Sequence, residues 1–148
     1  MADDAREPFV DGYLAYLLAR ASHLVSGEFH RQVEAAGLSV AEWRVLATLA
    51  DRSGCPVGEL AQITLNKQPT LTKLLDRMAA EGLVERRSGE TDRRTALVWI
   101  TAAGRARARP LLAKAAAHER AVLEDFGTQQ GQQLKDTLRR LIALHTGR

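Results

Sequence analysis

The feature that most constrains this chain is a change of period between residues 56 and 100. Leu60 and Ile63, then Leu71, Leu74, Leu75 and Met78, recur at the three- and four-residue steps of amphipathic helices. From Leu83 to Arg87, and again from Ala96 to Ile100, apolar residues instead alternate, with the polar stretch SGETDRR between the two runs. A short helix, a tight turn, a second helix and a hairpin predict a winged helix-turn-helix, whose second helix enters the major groove of DNA. The expected fold class is therefore mainly α with a small β-hairpin.

Long helices flank this segment. Leu14, Leu17, Leu18, Ala21, Leu24, Val25 and Phe29 mark one helix from Phe9 to about Ala36, closed by Gly37. Ser39-Val40-Ala41-Glu42 reads as a capping box opening a second helix over Val40 to Asp51. Ser53-Gly54 breaks the chain, and Pro56 suits the start of a short third helix. Asn66 is the expected N-cap of the fourth, with Pro69 in its first turn and its end near Gly82. Thr101 caps a fifth helix from Ala102 to about Phe126, kinked at Pro110; after a break at Gly127-Thr128, Leu134, Leu138, Leu141 and Ile142 mark a sixth. A small winged domain cannot cover all these apolar faces by itself. The expectation is a single chain, 1–148, with dimerisation helices over 9–37 and 102–146, a DNA-binding region over 39–101, and a second copy as partner.

On a helical wheel the fourth helix puts Leu71, Leu74, Leu75 and Met78 on one face and Pro69, Thr70, Thr72, Lys73, Asp76 and Arg77 on the other. One face packs and the other is free to read. The candidate DNA-binding residues here are Asn66, Lys67, Gln68, Pro69, Thr70, Thr72, Lys73 and Arg77, beginning with helix N-terminal amides suited to phosphate. On the hairpin, Arg86, Arg87, Arg93 and Arg94 place four guanidinium groups on one ribbon, and Asp92 can orient one of them. An ordinary solvated helix and a plain exposed hairpin tip are the bland alternatives.

Composition excludes more than it selects. The 148 residues are 45% hydrophobic and 26% charged with a formal charge of +3, ordinary globular values compatible with nucleic acid. The single cysteine, Cys55, allows no intramolecular disulfide and suggests a reducing compartment. With neither a signal peptide nor a run of about 20 apolar residues, the expected location is the cytoplasm, without a membrane partner. His23, His30, His118 and His145 show no metal-ligand spacing, so neither a metal site nor a cofactor is expected. No phosphate loop, nucleophile elbow or histidine-carboxylate motif points to an enzyme.

The segments LSVAEWRVLATLA, VGELAQITLNKQPTLTKLLDRMAAEGLVERR and ETDRRTALVWITAAGRA resemble the multiple-antibiotic-resistance regulator (MarR) family over nearly the whole chain. The resemblance is most specific at Asp92-Arg93-Arg94 and the following Ile100-Thr101-Ala102-Ala103-Gly104-Arg105. It implies a dimer of intertwined terminal helices on a pseudopalindromic double-stranded operator. Gln68, Pro69, Thr70, Thr72 and Lys73 then fall at major-groove positions and Arg94 at the minor-groove arginine. Two departures stand out: Thr64 occupies the position assigned to a turn glycine, and Pro69 replaces a frequent serine. Trp99 points away from Val98 and Ile100, and packing on arginine stems is the expectation for it.

A signal has one candidate entry point. Arg20 and His23 share a helix face with Tyr16 one turn earlier, and a cation beside an imidazole can hold a carboxylate. Trp43 and Arg44 add an aromatic wall beside a cation. The RASH stretch resembles family members that bind aromatic carboxylates, which makes Tyr16, Arg20, His23, Trp43 and Arg44 the candidate ligand residues for a small aromatic acid. The alternative is an interhelix salt bridge at Arg20 and an interface histidine at 23. The functional reading is a homodimeric regulator, a repressor released by that acid. A winged-helix protein-interaction module and a redox-responsive regulator using Cys55 are the alternatives; a packing role suits Cys55 better, since no basic neighbour is evident to lower its pKa.

Overall fold

The computed structural model describes residues 6–88 and 96–146. The elements run α1 (Phe9–Gly12), α2 (Leu14–Ala35), α3 (Val40–Asp51), β1 (Cys55–Pro56), α4 (Val57–Ile63), α5 (Gln68–Ala80), β2 (Val84–Ser88), β3 (Ala96–Ile100), α6 (Ala102–Leu123), a 3-10 turn (Glu124–Phe126) and α7 (Gly127–His145). The chain divides into two compact units, residues 1–112 and 113–148, with α6 beginning in the first and ending in the second.

Local chemistry explains most boundaries. Ser39 caps α3 as expected: its Oγ accepts from the Glu42 amide at 3.1 Å, and Glu42 Oε1 accepts from the Ser39 amide at 3.1 Å. Thr101 Oγ1 accepts from the Gly104 amide at 3.0 Å and opens α6, while donating to the Gly82 carbonyl at 2.6 Å. The single N-terminal helix expected from Phe9 is broken: Tyr13 is extended (φ −78°, ψ 119°) between α1 and α2. Gly12 is a weak helix former, and the break lets the Tyr13 ring stack on Phe9 at a 5.0 Å centroid distance. Pro110 lies inside α6.

The hairpin gains a third strand that alternation does not reveal. β1 pairs antiparallel with β3, Cys55 opposite Val98, giving the order β1-β3-β2. Across β2 and β3 the register sets Val84 opposite Ile100 and Arg86 opposite Val98. Val84, Val98 and Ile100 are buried, as are Leu71, Leu75 and Met78 of α5 and Leu46, Leu49 and Leu60 of α3 and α4, and these elements pack on one another around one core. That core fixes the roll of α5 about its axis, because turning it would expose its buried leucines.

The first turns of α6 clasp this core. A Cβ on Gly104 would lie 2.2 Å from the Leu83 carbonyl oxygen, so α6 crosses there at a distance only glycine permits. Arg105 donates to the Ala50 carbonyl at 3.0 Å and Arg107 to the Ala36 carbonyl at 3.2 Å, setting cations at the C-terminal ends of α3 and α2. In the second unit, Gly131 of α7 sits against Leu123. No helix among the described residues is long and apolar enough to cross a membrane.

Candidate nucleic-acid interface

The turn between α4 and α5 decides how the second helix is presented. Thr64 is buried, with its hydroxyl donating to the Leu60 carbonyl at 2.7 Å and an ordinary φ of −84°. The left-handed residue is its neighbour, Leu65, at φ 61° and 79% exposed. The expectation that placed the turn glycine's position at Thr64 is thus corrected by one residue: the strain falls on Leu65, whose Cβ disfavours this conformation. Asn66 does not cap α5. Its side chain turns back and donates to Thr64 Oγ1 at 3.2 Å, leaving Lys67 at the N-cap without a side-chain cap bond. The Gln68 and Thr70 amides of the first turn therefore remain available, while Pro69 has none to offer.

From there α5 separates its faces as the wheel predicts. Leu71, Leu74, Leu75 and Met78 are buried; Gln68, Pro69, Thr70, Lys73, Asp76 and Arg77 are exposed, and Thr72 is half-buried. Among the described residues, Lys67, Lys73 and Arg77 make no ion pair. Thr72 donates its hydroxyl proton to the Gln68 carbonyl at 2.9 Å, so toward a ligand it acts as an acceptor. A groove lies on each side of the helix. One, of about 370 Å³, is lined by Pro56, Val57, Gly58, Gln68, Thr72, Arg86 and Ala96. The other, of about 570 Å³, is lined by Ala41, Asn66, Pro69, Thr70, Lys73, Leu74 and Arg77.

Of the ribbon arginines, the two within the described residues, Arg86 and Arg87, point to opposite faces. Arg86 shares the inner face of the sheet with Val84, and its guanidinium pairs with Asp76 of α5. Arg87 points to the outer face, pairs with Glu85 at 2.7 Å, and sets its guanidinium 5.1 Å from the Trp99 ring centroid. That contact is the arginine packing expected for Trp99, whose ring also fills the space over Gly54. Strand alternation, applied to Arg86 and Arg87, already separates them. Asp92, Arg93 and Arg94 lie outside the described residues.

The candidate ligand residues are only partly brought together. Arg20 Nη1 donates to the Tyr16 hydroxyl at 2.8 Å, and both Arg20 and His23 are exposed on α2. Trp43 is 9% exposed and stands edge-on to Phe29 at 5.3 Å, so it is a core residue rather than the open aromatic wall expected of it. The physical reason is position: Trp43, Val45, Leu46 and Leu49 form the buried face of α3. The Arg44 charge is felt by His30. Burial, and then the Arg44 charge, push the His30 imidazole below its ordinary pKa, against an opposing pull from Glu34. Cys55 is buried, and burial followed by the Glu59 charge pushes its thiol up. Among the described residues no three His, Cys, Asp or Glu side chains cluster as metal ligands would.

These features meet a consistent set of relatives. A sequence profile of the MarR family matches residues 36–95. The crystal structure of a MarR family transcriptional regulator from Silicibacter pomeroyi DSS-3 is 40% identical and superposes with a TM-score of 0.83, covering 93% of this chain and 98% of that one. The chain belongs to the MarR family. BadR, a transcriptional activatory protein of Rhodopseudomonas palustris, is 35% identical over 95 residues, 62% of this chain and 54% of that protein. The match thus spans about half the length of that relative. The homoprotocatechuate degradative operon repressor of Escherichia coli is 29% identical across 91% of each chain. As a MarR family member the protein is a transcriptional regulator with a winged helix-turn-helix, and not an enzyme.

Proposed function

We propose that this chain works in the cytoplasm as a homodimeric, sequence-specific DNA-binding repressor that a small aromatic carboxylate releases. The observation that carries the reading is the face of α5: Gln68, Pro69, Thr70, Lys73 and Arg77 stand exposed opposite a buried leucine face. On this reading Gln68, Thr70 and Thr72 meet base edges, Pro69 meets a thymine methyl, and Lys67, Lys73 and Arg77 meet phosphates. Arg94 serves the minor groove, with Arg93 beside it and Asp92 to orient one of the ribbon arginines. Dimerisation is supported by apolar residues left exposed on α1, α2 and the Tyr13 between them (Phe9, Val10, Tyr13, Leu14, Leu17, Leu24) and on α7 (Leu134, Ile142, Leu144), which a second copy would cover. Residues 9–37 and 102–146 are the proposed dimerisation helices and 39–101 the DNA-binding region.

For the ligand, Arg20 keeps donors beyond the one given to Tyr16, and His23 lies one turn further along the same exposed face. One relative is named for activation and another for repression of a homoprotocatechuate operon, so the names alone do not fix the sign of control. Mobility shift on DNA upstream of the chain's own gene tests the core reading. Binding to a discrete site that Gln68→Ala alters at one base position supports it. No binding at low salt would sink it and favour a protein-contact module. Arg20→Ala should then bind DNA normally but lose its response to hydroxybenzoates. If no benzoate, hydroxybenzoate or cinnamate binds in calorimetry, the carboxylate assignment fails by itself.

A further inference from the structure

An acid stands on the exposed face of the helix assigned to the major groove. Asp76 follows Gln68 and Thr72 at four-residue steps, so the three form one row along α5. A free carboxylate in that row would repel the phosphates that the neighbouring Lys73 and Arg77 attract. It is not free: the Arg86 guanidinium of β2 pairs with it, with 34% of the Arg86 side chain and 57% of the Asp76 side chain exposed. Arg86 also lines the groove that contains Gln68 and Thr72. The pleat leaves it little choice of direction, since it shares the α5-facing side of the sheet with buried Val84 and lies opposite buried Val98.

We infer that Asp76 is a positioning residue for DNA recognition: it holds Arg86 beside the Gln68–Thr72 row, fixes the wing strand against α5, and keeps that guanidinium off the phosphates. The inference rests on the DNA-binding reading above and gives Arg86, one of the candidate DNA-binding arginines of the ribbon, the part of a brace. An arginine braced in this way adds nothing to counterion release. Released from Asp76, it becomes one more mobile cation that engages any duplex.

The test compares the full-length protein with Asp76→Asn, Arg86→Gln and the double variant. Anisotropy is read on two duplexes, one recovered by in vitro selection with the unmodified protein and a scrambled one of the same composition, between about 50 and about 200 mM salt. Asp76→Asn should steepen the slope of log K against log salt by about 0.9 per protomer, the value for one added phosphate contact. Its preference for the selected duplex should fall about tenfold, roughly what one base-edge contact discriminates. Arg86→Gln alone, which frees the Asp76 carboxylate, should weaken binding to both duplexes without steepening the slope, and the double variant should return to the parental slope. A purely structural role would lower the melting temperature and the affinity for both duplexes without steepening the slope. An unchanged slope and preference in Asp76→Asn, or a slope in the double variant as steep as in Asp76→Asn, overturns the inference while DNA binding by the parent stands. If the parent binds neither duplex at low salt, the DNA reading itself fails and this inference falls with it.

Discussion

Leu65 offers a measurement whose sign, not only its size, follows from the backbone. At an ordinary exposed helix position alanine is more stable than glycine by about 1 kcal/mol, because glycine loses more conformational freedom on folding. At Leu65 the backbone is left-handed, φ 61°, where any Cβ costs about 1–2 kcal/mol and glycine costs nothing. Subtracting glycine's entropic penalty of about 0.5–1 kcal/mol leaves Leu65→Gly more stable than Leu65→Ala by about 0.5–1 kcal/mol. Both variants lose the same small packing contribution of a side chain that is 79% exposed, so the comparison between them cancels it.

The assay is thermal unfolding at one fixed protein concentration, since association of copies would otherwise shift the midpoint. For a chain of this size the difference corresponds to roughly 1–4 °C in favour of glycine. Gln62, exposed on α4, supplies the control, where alanine should win by about 1 kcal/mol. If alanine equals or exceeds glycine at both positions, the left-handed turn is not held in the folded protein and the strain argument is wrong.

Other perturbations probe separate parts of the fold. Gly104→Ala should destabilise by about 2 kcal/mol, because its Cβ would meet the Leu83 carbonyl and Ile100 at distances neither can yield; a neutral result in denaturant unfolding would show that α6 does not cross so closely. His30→Gln should flatten the pH dependence of stability: the fold disfavours the charged imidazole, so between the unfolded and the lower native pKa the unfolded chain binds more protons and stability falls as pH drops from about 6.5 through the depressed native pKa. Equal melting profiles for parent and variant between about pH 7 and about pH 5 would contradict it. The Cys55 thiol should label on the order of a hundredfold more slowly in the native protein than in urea, whereas fast native labelling would revive the redox alternative.

What was legible in the chain is what local chemistry decides. The Ser39 capping box, the Thr101 cap and the leucine face of α5 follow from side chains within four residues of one another, and each is found where that chemistry puts it. β1 was hidden because two residues carry no period; it exists only because β3 is brought alongside it. Leu65 was hidden for the opposite reason, since a leucine's own preference argues against a positive φ and the packing of α4 on α5 overrides it. Trp43 and Arg44 are adjacent in sequence, but neighbours on a helix point about 100° apart, so Trp43 enters the core and only Arg44 avoids it. The outward-pointing Tyr16, Arg20 and His23 were readable as a face, while anything a second copy adds to that face has no trace in one sequence.

The cations around α5 then divide into two kinds with different consequences. Arg86 and Arg87 are each committed to a carboxylate, Asp76 and Glu85, whereas Lys67, Lys73 and Arg77 stand without an ion pair among the described residues. A committed arginine carries geometry; an uncommitted lysine carries charge to phosphate. The strained turn at Leu65 and the close crossing at Gly104 belong with the first kind, because they fix where α5 and the sheet stand without offering a donor to DNA. On the proposed DNA-binding reading, losses among the uncommitted cations should therefore weaken all duplexes alike and flatten the salt slope, since each would remove one phosphate contact. Losses among the braces should leave the remaining charges in place and blur the choice between sequences, because base-edge discrimination depends on how α5 is aimed.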